Sequence, residues 1–226
     1  CMLCGLRSRR SIPLCAECEA DLPANLNHCR RCAIPLPAGD GSEVGRQCGQ
    51  CLQHPPPFHR VVAPWLYSEQ LAFLIHRWKY GRQQYLTDLL AQLWLHQAQN
   101  LGVIDALVPV PLHWYKKWRR GFNQSQLLAQ RLHSCCPQLQ ASTPAYSLAR
   151  RKRSTSSQSG INARQRQDNI RGAFTVREPC DNLRVAIVDD VLTTGATAAE
   201  LATALLAAGA CQVEVWCLAR TPAPGC

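Results

Sequence analysis

The sequence predicts an α/β protein in which helices cover both faces of a mostly parallel sheet, preceded by a small cysteine-rich module. The first observation is that eight of the 14 cysteines lie within the first 51 residues, in pairs of identical spacing. The second is that apolar segments of strand length alternate with segments of helical period in the remainder of the chain. Strands that alternate with helices favour a parallel sheet that is covered on both faces.

The cysteine-rich module repeats the spacing Cys-x-x-Cys four times, which is typical of a double zinc-ribbon module. Two residues between cysteines allow both sulfurs to face one ion, and two such pairs complete a closed tetrahedral site. The sequence shows no export signal, so the thiols should stay reduced and metal binding is favoured over disulfide formation. We predict two structural Zn²⁺ ions, bound by sequential or by interleaved pairs. The eight predicted ligands are Cys1, Cys4, Cys15, Cys18, Cys29, Cys32, Cys48 and Cys51.

Three consecutive prolines at 55–57 predict a stiff linker after this module, because proline fits neither a helix interior nor a central strand. We therefore assign residues 1–57 to the double zinc-ribbon module and residues 58–226 to the α/β domain. Few apolar side chains occur between Ser8 and Gln53, so the metal should supply much of the module's folding free energy. A structural clip is favoured over a recognition role for nucleic acid or a partner protein.

Short apolar runs predict the strands of the α/β domain, and amphipathic runs predict its helices. The predicted strands cover residues 61–66, 106–112, 183–188 and 213–219. The predicted helices cover residues 84–97, 123–132 and 197–208, and Gly209 closes the last of them. In such sheets, ligands bind in the loops that follow the C-terminal ends of the strands.

Two adjacent carboxylates, Asp189 and Asp190, follow the predicted strand at 183–188. Such carboxylates can accept hydrogen bonds from the vicinal hydroxyls of a sugar or hold a metal-bound water. A loop of small and hydroxyl residues then enters a helix, where backbone N–H groups and the helix dipole favour a phosphate group. The loop residues are Thr193, Thr194, Gly195, Ala196 and Thr197. This stretch predicts a site for a ribose 5-phosphate, and the alternative is an acidic turn followed by a helix N-cap.

The stretch VAIVDDVLTTGATAAE, residues 185–200, resembles the 5-phosphoribosyl-1-pyrophosphate (PRPP) signature of type I phosphoribosyltransferases. With the cysteine-rich module, two further segments make the whole chain similar to the ComF family of competence-related proteins, and to its GntX branch in particular. The first is VPVPLHWYKKWRRGFNQS, residues 108–125, which contains Arg119, Arg120, Gly121, Phe122, Asn123 and Gln124. The second is the spaced pattern of Arg151, Arg153, Thr155, Gln158, Ile161, Arg166, Asn169 and Phe174, in which Ile161 replaces the usual Leu.

This resemblance implies a type I phosphoribosyltransferase-like fold that binds PRPP or another ribose phosphate, with Mg²⁺ neutralising the pyrophosphate. Asp189 and Asp190 would then be catalytic and hold the ribose diol, and residues 193–197 would hold the 5-phosphate. Transfer would rest on charge stabilisation and positioning and would need no covalent nucleophile. The resemblance also implies a flexible loop over the active site, for which a disordered linker is the alternative. The loop residues are Arg151, Arg153, Thr155, Gln158, Arg166 and Asn169.

The segment 113–122 interleaves cations with aromatic rings. Cations can follow a nucleic-acid backbone while rings stack on bases, as in the binding of single-stranded DNA. In a phosphoribosyltransferase the same loop would meet pyrophosphate, and the two interpretations are compatible. The rings are Trp114, Tyr115, Trp118 and Phe122, and the candidate contact residues are Lys116, Lys117, Arg119, Arg120, Gly121, Asn123 and Gln124.

Charge and hydropathy limit the classes of partner. The formal net charge is +10, which two Zn²⁺ ions bound through eight thiolates would lower to about +6, so a polyanion or a phosphorylated ligand is favoured. No apolar run approaches the roughly 18 residues of a membrane span and no secretory signal is present, so we expect a cytoplasmic protein. The resemblance implies a role in DNA uptake or in the use of DNA as a nutrient, with competence-machinery proteins as partners. The alternative is a non-enzymatic adaptor that binds single-stranded nucleic acid, and the sequence identifies no acceptor substrate.

Overall fold

The computed structural model describes residues 1–37, 46–81, 83–98, 100–152 and 170–223, apart from the Lys116 side chain. The strands are β1 (Arg60–Val62), β2 (Trp65–Leu66), β3 (Ala106–Pro109), β4 (Thr143–Pro144), β5 (Ala149–Arg151), β6 (Phe174–Val176), β7 (Arg184–Leu192) and β8 (Gln212–Arg220). The helices are α1 (Ala16–Ala20), α2 (Gly49–Gln53), α3 (Glu69–Tyr80), α4 (Leu86–Gln97), α5 (Trp114–Arg120), α6 (Gln124–Cys135) and α7 (Ala196–Ala207), with a 3-10 turn at Pro137–Leu139.

Six strands form one sheet in which every pairing is parallel. Their order is β1-β8-β7-β3-β4, and β2 also lies beside β8. The strands β5 and β6 form a separate antiparallel pair. The two long strands, β7 and β8, have nine residues each and are mostly buried. The predicted α/β class with a mostly parallel sheet is therefore confirmed.

Side chains that alternate along β7 face two separate apolar cores. Ala186 and Val188 pack with α3, α4 and α6, whereas Val185 and Ile187 pack with α7 on the opposite face. The indole N–H of Trp94 lies inside the first core, where it donates a hydrogen bond to a backbone carbonyl of β8 at 3.0 Å. Helices thus cover both faces of the sheet, as the alternation of strands and helices predicts.

The cysteine-rich module packs directly on the α/β domain. Ile12, Leu14 and Leu22 are buried in the core that contains α3, α4 and α6. Ala33 is buried in the core on the other face, the one that contains α7. The few apolar side chains of the module therefore contribute to both cores. This packing attaches the module to the α/β domain in addition to the linker.

Three strands differ by more than one residue from those predicted, and one of them, predicted at 106–112, already ends at Pro109. The apolar run at 61–66 forms two short strands, β1 and β2, that both pair with β8. The strand predicted to end at Val188 continues to Leu192, because β8 keeps pairing beyond that point, with Asp189 opposite Cys217. The two acids therefore lie within the last part of a strand and not in the turn that follows it.

The helix α3 was not predicted, although its sequence carries recognisable signals. Ser68 caps its first turn, since the hydroxyl oxygen accepts a hydrogen bond from the Leu71 N–H at 3.3 Å. The buried side chains then follow helical spacing, at Leu71, Leu74, Ile75 and Trp78. This helix places its last residues beside the acids of β7.

The helix α5 occupies most of the basic segment that we expected to be a loop. The His113 side chain caps it, because Nδ1 accepts a hydrogen bond from the Tyr115 N–H at 3.3 Å. Gly121 ends it with a φ of +82°, a left-handed conformation that favours glycine. The described cations of this segment, Lys117, Arg119 and Arg120, therefore lie on a helix of two turns.

Candidate functional site

Eight thiols form two clusters, and each cluster joins two consecutive Cys-x-x-Cys pairs. Cluster one contains Cys1, Cys4, Cys15 and Cys18, and cluster two contains Cys29, Cys32, Cys48 and Cys51. Within each cluster the sulfur atoms lie within 4.8 Å of one another. The Sγ atoms of Cys4 and Cys15 are 3.8 Å apart, and those of Cys32 and Cys48 are 3.7 Å apart. A zinc ion with four Zn–S bonds of about 2.3 Å requires sulfurs about 3.8 Å apart, so each cluster could hold one structural zinc ion. The pairing is sequential.

The two acids of β7 have different surroundings. Asp190 is buried, and both its oxygens are engaged: Oδ1 lies 2.8 Å from Lys79 Nζ, and Oδ2 accepts a hydrogen bond from Gln124 Nε2 at 2.7 Å. Asp189 is half-buried, and its Oδ1 accepts hydrogen bonds from Ser125 Oγ at 3.2 Å and from the Asp190 N–H at 2.9 Å. The strand thus presents Asp189 toward the outside and holds Asp190 in place from within.

The charge of the acid pair is costly in this environment. Burial raises the pKa of Asp189, and the adjacent charge of Asp190 raises it further. The Asp190 N–H, the Lys79 ammonium and the Ser125 hydroxyl oppose that shift. Arg151 of β5 also acts on this group: burial lowers the pKa of its guanidinium, and the charge of Asp189 opposes the change. The acid pair therefore favours a ligand that supplies hydrogen-bond donors or positive charge.

A loop between β7 and α7 lies immediately beyond the acids. Gly195 adopts a φ of +78°, and a Cβ added to it would meet no atom of the described residues within 4 Å. Thr194 Oγ1 accepts a hydrogen bond from the Ala196 N–H at 3.4 Å, at the start of α7. The backbone of this loop therefore borders open space at the N-terminus of a twelve-residue helix, where N–H groups and the helix dipole attract anions.

Arg220 ties this loop to cluster two. Its side chain is buried, and Nε donates a hydrogen bond to the backbone carbonyl of Cys32 at 3.0 Å. Its Nη1 donates to the carbonyl of Leu192 at 3.0 Å and also to the carbonyl of Thr193. One guanidinium thus bridges a thiol ligand's backbone and the first residues of the loop.

A cleft of about 350 Å³ separates cluster two from the loop. Cys51, His54 and Pro57 line it on the side of the cysteine-rich module, and Thr194 and Gly195 line it on the side of the loop. The module therefore forms one wall of the space next to the N-terminus of α7.

The helix α5 displays aromatic rings and cations to solvent. Trp114 and Trp118 have exposed fractions of 71% and 77%, and Tyr115, whose ring lies between theirs, is 49% exposed. Lys117 and Arg119 are exposed on the same helix. Exposed rings beside cations are typical of surfaces that bind single-stranded nucleic acid.

Known proteins resemble this chain over nearly its whole length, although no protein-family model matches it. It is 39% identical over 217 residues to the DNA utilization protein YhgH of Salmonella typhi, which covers 92% of this chain and 90% of that protein. It is 38% identical over 230 residues to the DNA utilization protein YhgH of Escherichia coli K12, with 98% and 90% covered. It is 32% identical over 218 residues to Competence protein F of Haemophilus influenzae, with 92% and 90% covered. The chain belongs to the ComF/GntX family.

In this ComF/GntX chain, two of the residues predicted to contact pyrophosphate or nucleic acid, Arg120 and Gln124, lie close to the acids. Gln124 bonds Asp190, and its Oε1 accepts a hydrogen bond from Arg120 Nη1 at 3.0 Å. Arg120 Nη2 donates in turn to the Tyr80 hydroxyl at 2.8 Å, and the guanidinium lies 4.8 Å from the centre of that ring. Arg120 and Gln124 thus link the basic helix to the acid pair.

The remaining predicted residues are divided between structural positions and the surface. Asn123 caps α6, since Oδ1 accepts from the Ser125 N–H at 3.1 Å and Nδ2 donates to the Val110 carbonyl. Phe122 is only 7% exposed, so it belongs to the core and not to the aromatic surface of α5.

Arg151 lies on β5 with its guanidinium 5.5 Å from the centre of the Phe174 ring. Arg153, Thr155, Gln158, Arg166 and Asn169 lie outside the described residues, as does the side chain of Lys116.

Three site residues of this ComF/GntX chain were missed by the sequence analysis: Lys79, Ser125 and Arg220. Ser125 belongs to the segment 108–125 and could have been noted there. Lys79 is one of two cations in the last turn of α3, and Arg220 is the last residue of β8. No local pattern marks either as a site residue. Within the described residues, no helix has both the length and the apolar character needed to cross a membrane.

Proposed function

We propose that this chain binds PRPP or a related ribose phosphate at the end of β7 and acts in the uptake or utilization of DNA. The observation that carries the proposal is the order of groups along one stretch: the acid pair, then an open loop, then the N-terminus of α7. Only three residues separate Asp190 from Thr194, so carboxylates and backbone N–H groups can meet one small ligand. A phosphorylated pentose offers hydroxyl donors to the first and a phosphate to the second.

The residues of this site would each contribute a different interaction. Asp189 would accept hydrogen bonds from the ribose hydroxyls, and Asp190 would be kept in position by its bond from Gln124. The loop at 193–197 would bind the 5-phosphate with its N–H groups and hydroxyls. Mg²⁺, when bound with PRPP, would neutralise charge on the pyrophosphate, and Asp189 is the carboxylate with the exposure to contribute to that site. The proposal extends to a phosphoribosyltransferase-like domain over residues 58–226 behind a zinc-ribbon module over residues 1–57.

The role in DNA utilization is carried by the names of the relatives. The chain covers 90% of the length of proteins named for DNA utilization and for competence, so it has the extent to serve the same process. Eight thiols in metal-ligand spacing favour a reducing compartment, and we place this role in the cytoplasm, alongside proteins of the competence machinery.

The experiment for the pocket is a calorimetric titration of PRPP with Mg²⁺ into the zinc-loaded protein. We expect the wild type to bind and the double variant Asp189→Asn/Asp190→Asn to lose binding. Asp88→Asn is the matched control, because Asp88 is an exposed acid of α4 whose ion-pair partner, Arg131, is not a residue of the proposed site. A wild type that fails to bind, or a double variant that binds equally well, would overturn the ribose-phosphate proposal.

A second candidate function is a non-enzymatic adaptor for single-stranded DNA, and the exposed rings of α5 favour it. Stacking of a base on an aromatic ring contributes about 1–3 kcal/mol, so Trp114→Ala with Trp118→Ala should weaken binding strongly. The measurement is fluorescence anisotropy of a labelled oligonucleotide at several salt concentrations, with Phe73→Ala of α3, another exposed ring, as the control. The adaptor alone is favoured if DNA binding depends on the two tryptophans while PRPP does not bind.

A further inference from the structure

Lys79 is the closest cation to the acid pair among the described residues, and α3 holds it there. It follows Trp78, whose fully buried ring anchors the last turn of α3 in the core. The ammonium lies 2.8 Å from Asp190 Oδ1, and the two side chains are only 18% and 10% exposed. An ion pair this protected is screened far less than a surface pair.

The ion pair belongs to a closed ring of contacts. Asp190 bonds Lys79 through one oxygen and Gln124 through the other, and Gln124 accepts from Arg120. Arg120 donates to the hydroxyl of Tyr80, the residue next to Lys79 in the chain. The ring joins the ends of α3, α5, α6 and β7, so the position of the ammonium is set by four elements.

This arrangement supplies a counter-ion to two adjacent carboxylates that would otherwise repel each other. A divalent cation close to Asp190 would have to share that carboxylate with the ammonium, and two cations within a few ångströms repel strongly when water is excluded. Lysine can resolve the conflict, because its point charge sits on a four-carbon stem that can be redirected. The phosphate oxygens of a sugar phosphate held by the acids and the loop are anionic partners for the released ammonium.

We propose that Lys79 is the resident counter-ion of the acid pair, and that it leaves Asp190 for a ligand phosphate when a sugar phosphate and its divalent cation bind. The inference rests on the proposed ribose-phosphate site and adds a ligand-binding residue to it. It implies that the free protein binds divalent cations poorly, because Lys79 already occupies one oxygen of Asp190 and offsets one of the two negative charges. The metal then enters together with the sugar phosphate.

The test measures Mn²⁺ binding to the zinc-loaded protein without any sugar phosphate, by electron paramagnetic resonance of the free ion. We expect Lys79→Met to bind Mn²⁺ at least ten times more tightly than the wild type, and the gain to disappear when Asp189→Asn and Asp190→Asn are added. Lys79→Arg should resemble the wild type because it keeps the charge. Arg177→Met is the control, because Arg177 is an exposed cation just after β6 that has no part in the proposed site, and it should change nothing. Equal Mn²⁺ affinity in Lys79→Met and the wild type would overturn the inference.

Two further measurements keep the outcome interpretable. Lys79→Gln retains a donor for Asp190 without the charge and replaces Lys79→Met if circular dichroism shows that the latter is unfolded. Calorimetry with PRPP and Mg²⁺ should show at least tenfold weaker binding by Lys79→Met than by the wild type. If Mn²⁺ binding changes as expected but the wild type does not bind PRPP, the counter-ion role stands and the proposed function fails. If the wild type binds PRPP and Lys79→Met leaves both affinities unchanged, only the inference on Lys79 fails.

Discussion

The two thiol clusters have the same pair spacing but meet the α/β domain at opposite faces of the sheet. Around cluster one, Leu14 and Leu22 are buried with α3 and α4, and Cys4 is exposed. Around cluster two, Ala33 is buried with the core of α7, and both Cys29 and Cys51 are buried. Two clusters with the same cysteine spacing therefore differ in their burial and in the core that they pack against.

Cluster two is also the one that is connected to the candidate ligand site. Its Cys32 carbonyl accepts a hydrogen bond from Arg220, which also holds the loop after β7. The Cys48 N–H donates to the Cys29 sulfur at 3.3 Å, a contact that would orient this sulfur toward a bound zinc ion. We infer that cluster one fastens the module to the helices, while cluster two also positions the loop between β7 and α7.

The largest expected effect follows from removal of the metal. Structural zinc contributes about 10–16 kcal/mol in zinc-finger peptides, and this module has few apolar side chains to replace it. Chelation should therefore unfold the module and lower the Tm of the whole protein, as measured by circular dichroism beside a zinc count of two per chain. A zinc-free protein with an unchanged Tm would contradict a structural role for both clusters.

Single cysteine variants sharpen the comparison, because Cys15 and Cys48 occupy equivalent positions at the starts of α1 and α2. Each variant, Cys15→Ser or Cys48→Ser, should lose about one zinc ion. Only Cys48→Ser should weaken PRPP binding, since cluster two is the one joined to the loop through Arg220. Equal loss of PRPP affinity in both variants would show that the clusters do not differ in this respect.

The next effect concerns the apolar anchor of cluster one. Leu14 is fully buried against α3 and α4, so Leu14→Ala should lower the free energy of unfolding by about 2–5 kcal/mol. Urea denaturation measures this loss, and calorimetry should show unchanged PRPP affinity in the folded variant. A change in ligand affinity would mean that cluster one also reaches the ligand site.

Arg220→Met is the corresponding change beside cluster two. It removes charged hydrogen bonds to three backbone carbonyls and should lower the free energy of unfolding by about 2–4 kcal/mol. Unlike Leu14→Ala, it should also weaken PRPP binding and speed the release of zinc to a chromogenic chelator. Arg184→Met provides the control, because Arg184 lies at the opposite end of β7, paired with Asp105. Retention of full PRPP affinity in Arg220→Met would show that Arg220 does not couple cluster two to ligand binding by the loop.

The smallest effect lies in the acid pair itself, where the charge of Asp189 should destabilise the fold independently of either cluster. The pKa of Asp189 is raised in the folded state above its ordinary value of 3.8. Its contribution to stability is therefore fully present below that value and is lost as the pH rises through the raised pKa.

Asp189→Asn should then raise the Tm at pH 7 by a few degrees, given about 2–4 °C for each kcal/mol, with both zinc ions retained. The gain should vanish near pH 4, and PRPP affinity of the wild type should increase with pH as Asp189 ionises. Thermal unfolding of both proteins from pH 4 to 8 measures the difference. An Asp189→Asn variant with a lower Tm than the wild type at pH 7 would contradict this prediction.

The sequence by itself determined the features that rest on local spacing. Four Cys-x-x-Cys pairs indicated the candidate metal ligands, the alternation of apolar runs indicated the parallel α/β class, and the run from Asp189 to Thr197 marked the candidate ligand site. Each of these depends on residues that are neighbours in the chain, so a short window contains the whole signal. The helix α3 could also have been predicted from the sequence, because Ser68 is a suitable N-cap and the apolar residues after it follow helical spacing.

Only the tertiary structure decided how distant segments meet. The choice of sequential thiol pairs, the contact of Lys79 with Asp190 and the bond from Arg220 to Cys32, 188 residues away, have no local pattern. The extension of β7 beyond Val188 likewise depends on its pairing with β8. Such contacts arise because packing on both faces of the sheet brings together side chains whose separation in the chain carries no periodic signal.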